Sequence, residues 1–184
     1  MRQTVTRADY FEAALRILAT DGHRALKMSA LCKMLGVTTG SFYNYFGNWA
    51  EFTPQLLDYW EKEQTVRIDE LSNRAATPSA RISVLKELAS QLPHESETAI
   101  RAWSNADPLV ATFQKRVDQE RLAALRGAIA DIVPDPAMTD LLAVMGVGLL
   151  VGVQSIRSPV DRGELHRVLD EYERALLRHA ALID

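Results

Sequence analysis

Cysteine is almost absent from this chain of 184 residues, which contains Cys32 alone. A single cysteine excludes an intramolecular disulfide and a zinc site built from several cysteines. Glycine is also scarce, with 9 residues, and helix-forming residues dominate the remainder. We therefore expect Cys32 to fill space in a helical core, and we expect a protein of the reducing cytoplasm.

Signals for strands, for secretion and for a membrane are also missing. No stretch alternates apolar and polar residues as a half-buried strand does, and no internal repeat occurs. Residues 1–20 are amphipathic and lack the apolar block of a secretory signal. The longest apolar run, residues 141–153, is interrupted by three glycines and is short for a bilayer, which favours a buried helix and no membrane partner.

Signals for catalysis and for metal binding are equally sparse. The chain has no glycine-rich phosphate loop, no nucleophile elbow and no His-Glu pair at the spacing of metal ligands. Its four histidines are dispersed: His23, His94, His166 and His179. We expect no catalytic residue, no metal and no cofactor.

The stretch LGVTTGSFYNYFGN, residues 35–48, is rich in glycine, hydroxyl and aromatic side chains and is poorly suited to a core. Gly36 can end the preceding helix in the left-handed conformation, and Thr38 can cap a short helix after it. On that helix Phe42 and Phe46 are four residues apart and face one way. The opposite face carries small and polar residues: Thr39, Gly40, Tyr43 and Asn44.

Two helices joined by a glycine turn, the second short and with a polar outer face, are typical of a helix-turn-helix that enters the major groove of double-stranded DNA. Gly40 lets the backbone approach a phosphate, and Asn44 can hydrogen-bond a base edge. Tyr43 and Tyr45 can donate to phosphate oxygens. The predicted DNA-contacting residues are Lys27, Ser29, Thr38, Thr39, Gly40, Ser41, Tyr43, Asn44, Tyr45 and Asn48.

The charge distribution agrees with a nucleic-acid partner for the N-terminal part. Residues 1–47 carry six Lys/Arg and three acids, a balance of +3, so the remainder of this chain of net charge −3 carries −6. A positive excess is expected where a protein meets phosphate. Arg2 and Arg7 stand at the start of the first helix, where they either reach the DNA backbone or are merely solvated.

The segment LGVTTGSFYNYF, followed by a long capped helix, resembles the DNA-binding segment of the TetR/AcrR family of bacterial transcriptional regulators. Gly-Val-Thr, Gly-Ser-Phe-Tyr and the following aromatic pair stand in register with that family's motif. A weaker resemblance, to regulatory domains of one branch of the family, lies in residues 99–125. The family's common form has lysine at the position of Thr39, histidine at that of Tyr45 and a basic residue near 47–49.

The resemblance implies an all-α fold of about nine helices. A three-helix helix-turn-helix domain is expected over residues 1–50, and a larger helical ligand-binding and dimerisation domain over 51–184. The family's mode of action implies a homodimer that binds a roughly palindromic operator, most often as a repressor. A small-molecule effector is expected to release this dimer from the operator.

Two further groups of residues follow from the implied architecture. A ligand pocket is expected among Trp60, His94, Trp103, Phe113 and Met145, with ordinary core packing as the alternative for each and with His94 interpreted first as a loop residue. A dimer interface is expected on the last two helices, with completion of a single chain's core as its alternative. Its predicted residues are Gly146, Leu149, Gly152, Val153, Leu165, Leu169, Tyr172 and Leu176.

Two positions depart from the expected helical pattern. Lys27 stands where a helix cap is usual, so it either contacts phosphate or leaves Ser29 to cap a shorter helix. Pro54 lies about six residues into the helix that begins after Asn48, where it either kinks that helix or starts a new one behind Thr53.

These departures leave a second function open. The chain has no lysine at position 39 and no basic residue at 47–49. A helical dimer that binds a small molecule or a protein partner and has lost its affinity for DNA is the competing interpretation. Salt-dependent DNA binding separates the two functions, because a working DNA-binding head must release counterions.

Overall fold

The computed structural model describes residues 5–72 and 74–181, and within those ranges the chain is helical and contains no strand. Arg2 lies outside the described residues. A short 3₁₀ turn, His23–Ala25, joins the first two of nine α-helices. The helices are α1 (Arg7–Asp21), α2 (Met28–Leu35), α3 (Thr39–Phe46), α4 (Trp49–Ser72), α5 (Pro78–Ser90), α6 (His94–Ser104), α7 (Pro108–Ala130), α8 (Pro136–Ile156) and α9 (Arg162–Ala181). The predicted all-α fold is confirmed.

Side-chain caps start several of the helices. The Thr6 hydroxyl accepts from the Asp9 main-chain N–H across 3.3 Å, and the Asp9 carboxylate accepts from the Thr6 main-chain N–H across 2.7 Å. The main-chain N–H and the hydroxyl of Thr6 both donate to the Asp9 carboxylate, which lowers the pKa of Asp9. Thr77 and Asp135 cap α5 and α8, each with a proline as the first helical residue. These starts follow from sequence because a cap bonds within its own first turn.

Helix α4 continues through Pro54 without a break. The Thr53 hydroxyl donates back to the Trp49 carbonyl across 3.4 Å, inside the helix, so Thr53 does not cap a new helix. The interpretation of Pro54 as the start of a second helix is therefore wrong. Proline has no N–H, so the Ala50 carbonyl loses its helical donor at this point.

The described residues form two compact units. One comprises the positions up to Lys62 together with Pro93–Gln114, and the other comprises Glu63–Leu92 together with the positions from Lys115 onward. In the first unit α6 packs on α1, and the rings of His23 and Trp103 stack with centroids 6.1 Å apart. The predicted domain division, 1–50 and 51–184, stays a prediction.

The core of the first unit is an aromatic cluster built by three helices. Tyr10 comes from α1, Phe42 and Phe46 from α3, and Phe52 from α4, and all four are buried. Phe46 meets Phe52 edge to face with centroids 4.9 Å apart and meets Tyr10 in the same way at 5.3 Å. Full burial of each such ring contributes about 1.5–3 kcal/mol, so this cluster anchors α3.

The second unit has an aliphatic core at two sites. The larger cluster joins α5, α7, α8 and α9 and consists of Ile82, Ala128, Ile129, Val133, Ala143 and Leu176. The smaller joins α8 to α9 through Leu150, Leu165 and Leu169. Partly buried residues of α5 extend both clusters, Leu85 the larger and Ala89 the smaller.

Helix α8 is buried along one face only, which corrects the expectation of a buried helix. Its opposite face exposes Leu141, Val144 and Met145, each by about half of its surface. By length and composition α8 is apolar enough to cross a membrane, and only 22% of its most apolar window is buried in the chain. The apolar run thus leaves a hydrophobic surface that the chain itself does not cover.

Candidate nucleic-acid interface

The turn between α2 and α3 has the geometry that its sequence predicts. Gly36 adopts the left-handed conformation, with φ 65° and ψ 32°, and ends α2. The next N–H, that of Val37, donates back to the Cys32 carbonyl across 3.0 Å. Thr38 then caps α3 by accepting from the Ser41 N–H. The turn places α3 as the second helix of a helix-turn-helix.

Helix α3 has one anchored face and one open face. Phe42 and Phe46 are buried in the aromatic cluster, as predicted. The exposed residues are Thr39, Gly40, Tyr43 and Asn44. A Cβ added at Gly40 would meet only the Thr38 hydroxyl, at 3.7 Å, so packing within the chain does not require glycine there. Close approach of another molecule is a reason for glycine that this open space permits.

Basic side chains lie on the α2 side of this candidate interface and not on α3. Residues 34–61, which include the whole of α3, contain no lysine or arginine. Three exposed cations lie in α2 and in the segment that joins it to α1: Arg24, Lys27 and Lys33. Sequence reasoning had not assigned Arg24 to the interface, although it belongs to the basic excess of the N-terminal part. Hydroxyl and main-chain donors are what α3 itself offers to phosphate.

Lys27 occupies the cap position of α2 and makes no capping hydrogen bond with its side chain. The helix begins at Met28, and Ser29 lies exposed within its first turn. The alternative in which Ser29 caps a shorter helix is therefore wrong. The exposed Lys27 side chain stands beside the N-terminal end of α2, where a phosphate would also meet free main-chain N–H groups.

Three predicted contact residues use their polar atoms inside the chain. The Tyr45 hydroxyl donates to the Val5 carbonyl across 2.5 Å, which corrects its assignment as a phosphate donor. The Ser41 hydroxyl accepts from Tyr10 across 3.0 Å, and burial raises the pKa of that tyrosine. Asn48 caps α4, with its amide and carbonyl groups both bonded to Glu51 at 2.8 and 2.9 Å.

Arg7 is likewise engaged within the chain. Its Nη2 donates to the Tyr45 carbonyl across 2.6 Å, and its Nη1 donates to the Gln55 side chain across 3.1 Å. Arg7 was expected either to contact the DNA backbone or to be merely solvated. This arrangement corresponds to neither role. These partners lie 38 and 48 positions away in the sequence, so no local pattern signals them.

Four of the five predicted ligand residues belong to the first unit, and the fifth belongs to the second. Trp60 and Phe113 are buried in the first unit, and Trp103 is half-buried there. His94 is the fully buried first residue of α6, so its interpretation as a loop residue is wrong. Met145 belongs to the second unit and lies on the exposed face of α8.

Sequence reasoning missed Glu97, a buried acid that accepts a hydrogen bond from the Trp60 indole across 2.7 Å. It stands three residues after His94, on the same face of α6, and that spacing is the signal that was available. A separate open cleft at the start of α5 contains none of the predicted pocket residues. Its lining is Ser72, Ala75, Ala76, Thr77, Pro78, Arg81 and Asp131.

The predicted dimer residues divide into two sets. Gly146, Leu165, Leu169 and Leu176 are buried inside the chain, because α8 and α9 pack on each other and on α5 and α7. A second chain cannot reach them, which corrects their assignment. The remaining residues are half-buried: Leu149, Gly152, Val153 and Tyr172. Four exposed apolar side chains of α8 were not predicted as interface residues: Leu141, Val144, Met145 and Ile156.

Comparison with known proteins agrees with this geometry. Residues 11–52 match the model of bacterial regulatory proteins of the tetR family. No curated protein sequence matches the chain.

Several solved structures share its fold. A TetR-family transcriptional regulator from Streptomyces coelicolor is 14% identical, with a TM-score of 0.79 and coverage of 95% of both chains. A putative transcriptional regulator from Saccharomonospora viridis, in complex with choline, is 15% identical, with a TM-score of 0.75 and coverage of 90% of this chain and 94% of that one.

A third structure extends this likeness. The transcriptional regulator FadR from Bacillus subtilis, in complex with stearoyl-CoA, is 16% identical, with a TM-score of 0.72 and coverage of 93% and 97%. Identities this low show a shared fold alone, whereas the family match covers the helix-turn-helix segment. Residues 11–52 therefore carry the helix-turn-helix segment of the tetR family of bacterial regulatory proteins.

Proposed function

We propose that this protein binds an operator in double-stranded DNA as a homodimer, represses transcription there, and is released by a small-molecule effector. The observation that carries the proposal is the two-faced α3. Phe42 and Phe46 hold it from behind, and the exposed face consists of residues suited to DNA contact. As a regulator of bacterial transcription, the protein works in the cytoplasm.

The exposed face of α3 supplies distinct kinds of contact. The Asn44 amide matches the donor and acceptor that adenine presents in the major groove, a pairing worth about 1–3 kcal/mol of discrimination. The half-exposed Tyr43 suits a phosphate oxygen. Gly40 leaves room for the sugar-phosphate backbone. Sequence preference would therefore depend on Asn44, and general affinity on Tyr43 and on the cations of α2.

The cations predict a moderate dependence on salt. Each head offers Arg24, Lys27 and Lys33 to phosphate. If each contacts one phosphate, a dimer makes six such contacts and its affinity falls with the logarithm of salt concentration with a slope of about −5.

The exposed apolar surface of α8 supports the dimer. Leu141, Val144, Met145 and Gly148 follow one another at helical spacing on the uncovered face. Exposed apolar rows of this kind mark association surfaces, and two chains joined through them form a bundle of helices. A dimer presents two recognition helices about 34 Å apart, or a multiple of that distance, so we expect a roughly palindromic operator.

The effector site is proposed for the helices outside the helix-turn-helix. Of the related folds, one holds choline and another stearoyl-CoA. In this chain the buried Trp60 and Glu97 place polar groups in the interior, as ligand sites commonly do. An effector that favours a conformation with displaced heads lowers DNA affinity by the same coupling free energy, typically about 1–3 kcal/mol.

A second candidate is favoured by one observation, the absence of lysine and arginine from residues 34–61. A helical dimer whose head has lost its DNA affinity would bind a small molecule or a protein partner alone. Such a protein would keep the exposed face of α8 and would show no counterion release with DNA.

The test is binding of the purified protein to its own upstream DNA, titrated with salt and against non-specific competitor. We expect a complex of two protomers per site whose affinity falls with salt at the slope given above. A folded dimer that binds no DNA at low salt would reject the regulator and support the second candidate. Loss of the complex on addition of a compound would then identify the effector.

A further inference from the structure

Helix α1 and the residue pair just before it bond to both ends of the recognition helix α3. At the first turn of α3, the Tyr10 hydroxyl donates to Ser41 across 3.0 Å. At the last turn, the Tyr45 hydroxyl donates to the Val5 carbonyl across 2.5 Å, just before α1 begins. Arg7 adds a third bond by donating to the Tyr45 carbonyl across 2.6 Å. Polar bonds thus flank the buried Phe42 and Phe46 at either end of the helix.

The carbonyl groups at the end of α3 explain the place of Arg7. The last carbonyls of a helix have no helical donor and need another partner. The N–H groups of Gly47 and Asn48 serve the carbonyls of Tyr43 and Phe46 at 2.9 and 2.8 Å. The carbonyl of Tyr45 receives the Arg7 guanidinium instead. A cation at this position is also favoured by the negative end of the helix dipole.

The same guanidinium reaches the next helix. Its second nitrogen donates to the Gln55 side chain of α4 across 3.1 Å, and its carbon lies 5.6 Å from the centre of the Phe46 ring. The Gln55 amide nitrogen is bonded to the Glu51 carbonyl at 2.9 Å, which turns the amide oxygen toward Arg7. Arg7 therefore bridges the Gly47 turn between α3 and α4. Lysine lacks the fork that makes two such bonds at once.

We infer that Arg7 and Tyr45 are positioning residues of the recognition helix, which hold its C-terminal end against α1 and α4 without contacting DNA. Helix α3 has only two turns, so it depends on its neighbours for its conformation and its direction. The two buried phenylalanines lie on one line along the helix, so bonds to either side of that line resist rotation about it more directly than they do. The bonds of Arg7 and Tyr45 oppose this motion and so fix the direction in which Asn44 points. The inference rests on the proposed DNA-binding function.

Direct phosphate contact by the same two residues makes the opposite predictions. An arginine that neutralises a phosphate releases a counterion, so its loss makes the salt slope shallower by about 0.9 per contact. A tyrosine that donates to phosphate strengthens binding to every sequence equally. Loss of a positioning residue leaves the salt slope and the affinity for non-specific DNA unchanged. It reduces only the preference for the operator over other DNA.

The experiment compares Arg7→Gln and Tyr45→Phe with two matched controls, Lys27→Gln and Tyr43→Phe. Each variant of the full chain is titrated with its own upstream DNA and with scrambled DNA over a range of salt. For Arg7→Gln and Tyr45→Phe we expect operator affinity to fall roughly three- to tenfold per head, the size of one net hydrogen bond, with scrambled-DNA affinity and salt slope unchanged. For Lys27→Gln we expect a slope shallower by roughly 2 in the dimer, and for Tyr43→Phe an equal loss with both DNAs.

A second measurement, on the free protein, does not need DNA. Hydrogen exchange of the α3 amides should become faster in Arg7→Gln and in Tyr45→Phe, relative to the amides of α1, and stay unchanged in Tyr43→Phe. Unchanged exchange in both variants, a shallower salt slope for Arg7→Gln, or an equal loss on both DNAs for Tyr45→Phe would overturn the inference. If the wild type forms no DNA complex, the proposed function fails, and the exchange measurement alone decides whether these residues hold α3.

Discussion

Tyr172 lies so close to Gly146 that a Cβ built on this glycine would be 2.8 Å from both Cζ and Oη of the tyrosine. The same Cβ would lie 2.6 Å from a methyl carbon of Leu125. The Tyr172 hydroxyl passes the glycine and donates to the Leu142 carbonyl across 2.6 Å. Helices α8 and α9 therefore approach each other at a point where only glycine fits.

Gly146→Ala should destabilise the protein. A methyl group at 146 forces Leu125 and Tyr172 to move, and overpacking of this kind costs about 1–3 kcal/mol. Gly127→Ala, in α7, is the matched control, because a Cβ there meets only the guanidinium of Arg81, at 3.4 Å and beyond, and alanine favours the helix by up to about 1 kcal/mol. Urea unfolding of both variants measures the difference. Equal stability of the two variants would show that the space above Gly146 is larger than described.

The stability of the fold should decrease above about pH 10, the ordinary pKa of tyrosine. Burial raises the pKa of Tyr172 above that range. Below pH 10 the hydroxyl is protonated in both states, but at higher pH the unfolded chain releases the proton while the folded chain retains it, so folding becomes less favourable. Unfolding free energies of the wild type and Tyr172→Phe across this range test the effect. The phenylalanine variant should lose less stability with rising pH, and parallel curves would contradict the prediction.

A charge on the uncovered face of α8 should dissociate the proposed dimer. Val144→Glu places a carboxylate among the apolar side chains that we assign to the interface, where an unpaired buried charge is strongly unfavourable. Ala123→Glu adds the same charge on an exposed position of α7 and should leave the dimer intact. Sedimentation of the two variants separates monomer from dimer. A dimer that survives Val144→Glu would place the interface elsewhere.

Two substitutions on the exposed face of α3 should have different consequences. Asn44→Ala should reduce the preference at one base pair in each half-site by about 1–3 kcal/mol. The preference at the other base pairs should stay unchanged. Tyr43→Phe should weaken binding to all sequences alike, because phosphate contacts carry no sequence information. Binding to a library of single-base variants of the operator measures both. Wild-type behaviour of both variants would mean that another face of the head reads the DNA.

Trp60→Phe should destabilise the first unit beyond the loss of ring volume. The substitution removes the indole N–H that donates to the buried Glu97 carboxyl. When a buried acceptor loses such a partner, the folded state is destabilised by about 1–3 kcal/mol. Denaturant unfolding of Trp60→Phe, Glu97→Leu and the double variant forms a cycle that isolates this bond. Strictly additive effects would show that the two side chains contribute independently.

Local features of this fold were predictable because their partners lie within one helical turn. Thr6 with Asp9, Gly36, Thr38 and the Asp135-Pro136 pair mark helix ends through bonds to the nearest residues. The division of α3 into a buried face and an exposed face follows in the same way, because residues four positions apart, such as Phe42 and Phe46, lie on the same face of a helix.

Contacts between distant segments were not predictable in this manner. The sequence shows that the Tyr45 side chain carries a hydrogen-bond donor. It does not show that the acceptor is the main-chain carbonyl of Val5, 40 positions away. It shows that α8 and α9 have apolar faces, but not which apolar side chains the chain covers. Leu165 is buried by the chain itself, whereas Met145 remains exposed.

By itself, the sequence determined the helices, their caps, the glycine turn and the residues displayed by the second helix of the motif, because each of these depends on hydrogen bonds and periodicity within a few residues. Only the tertiary structure decided that Arg7 and Tyr45 hold the recognition helix, that Glu97 pairs with Trp60, and that the glycine at 146 serves a contact with α9 of the same chain. Those assignments depend on which helices meet. That outcome is set by the packing of the whole chain, in which one apolar face can be covered by any of several others.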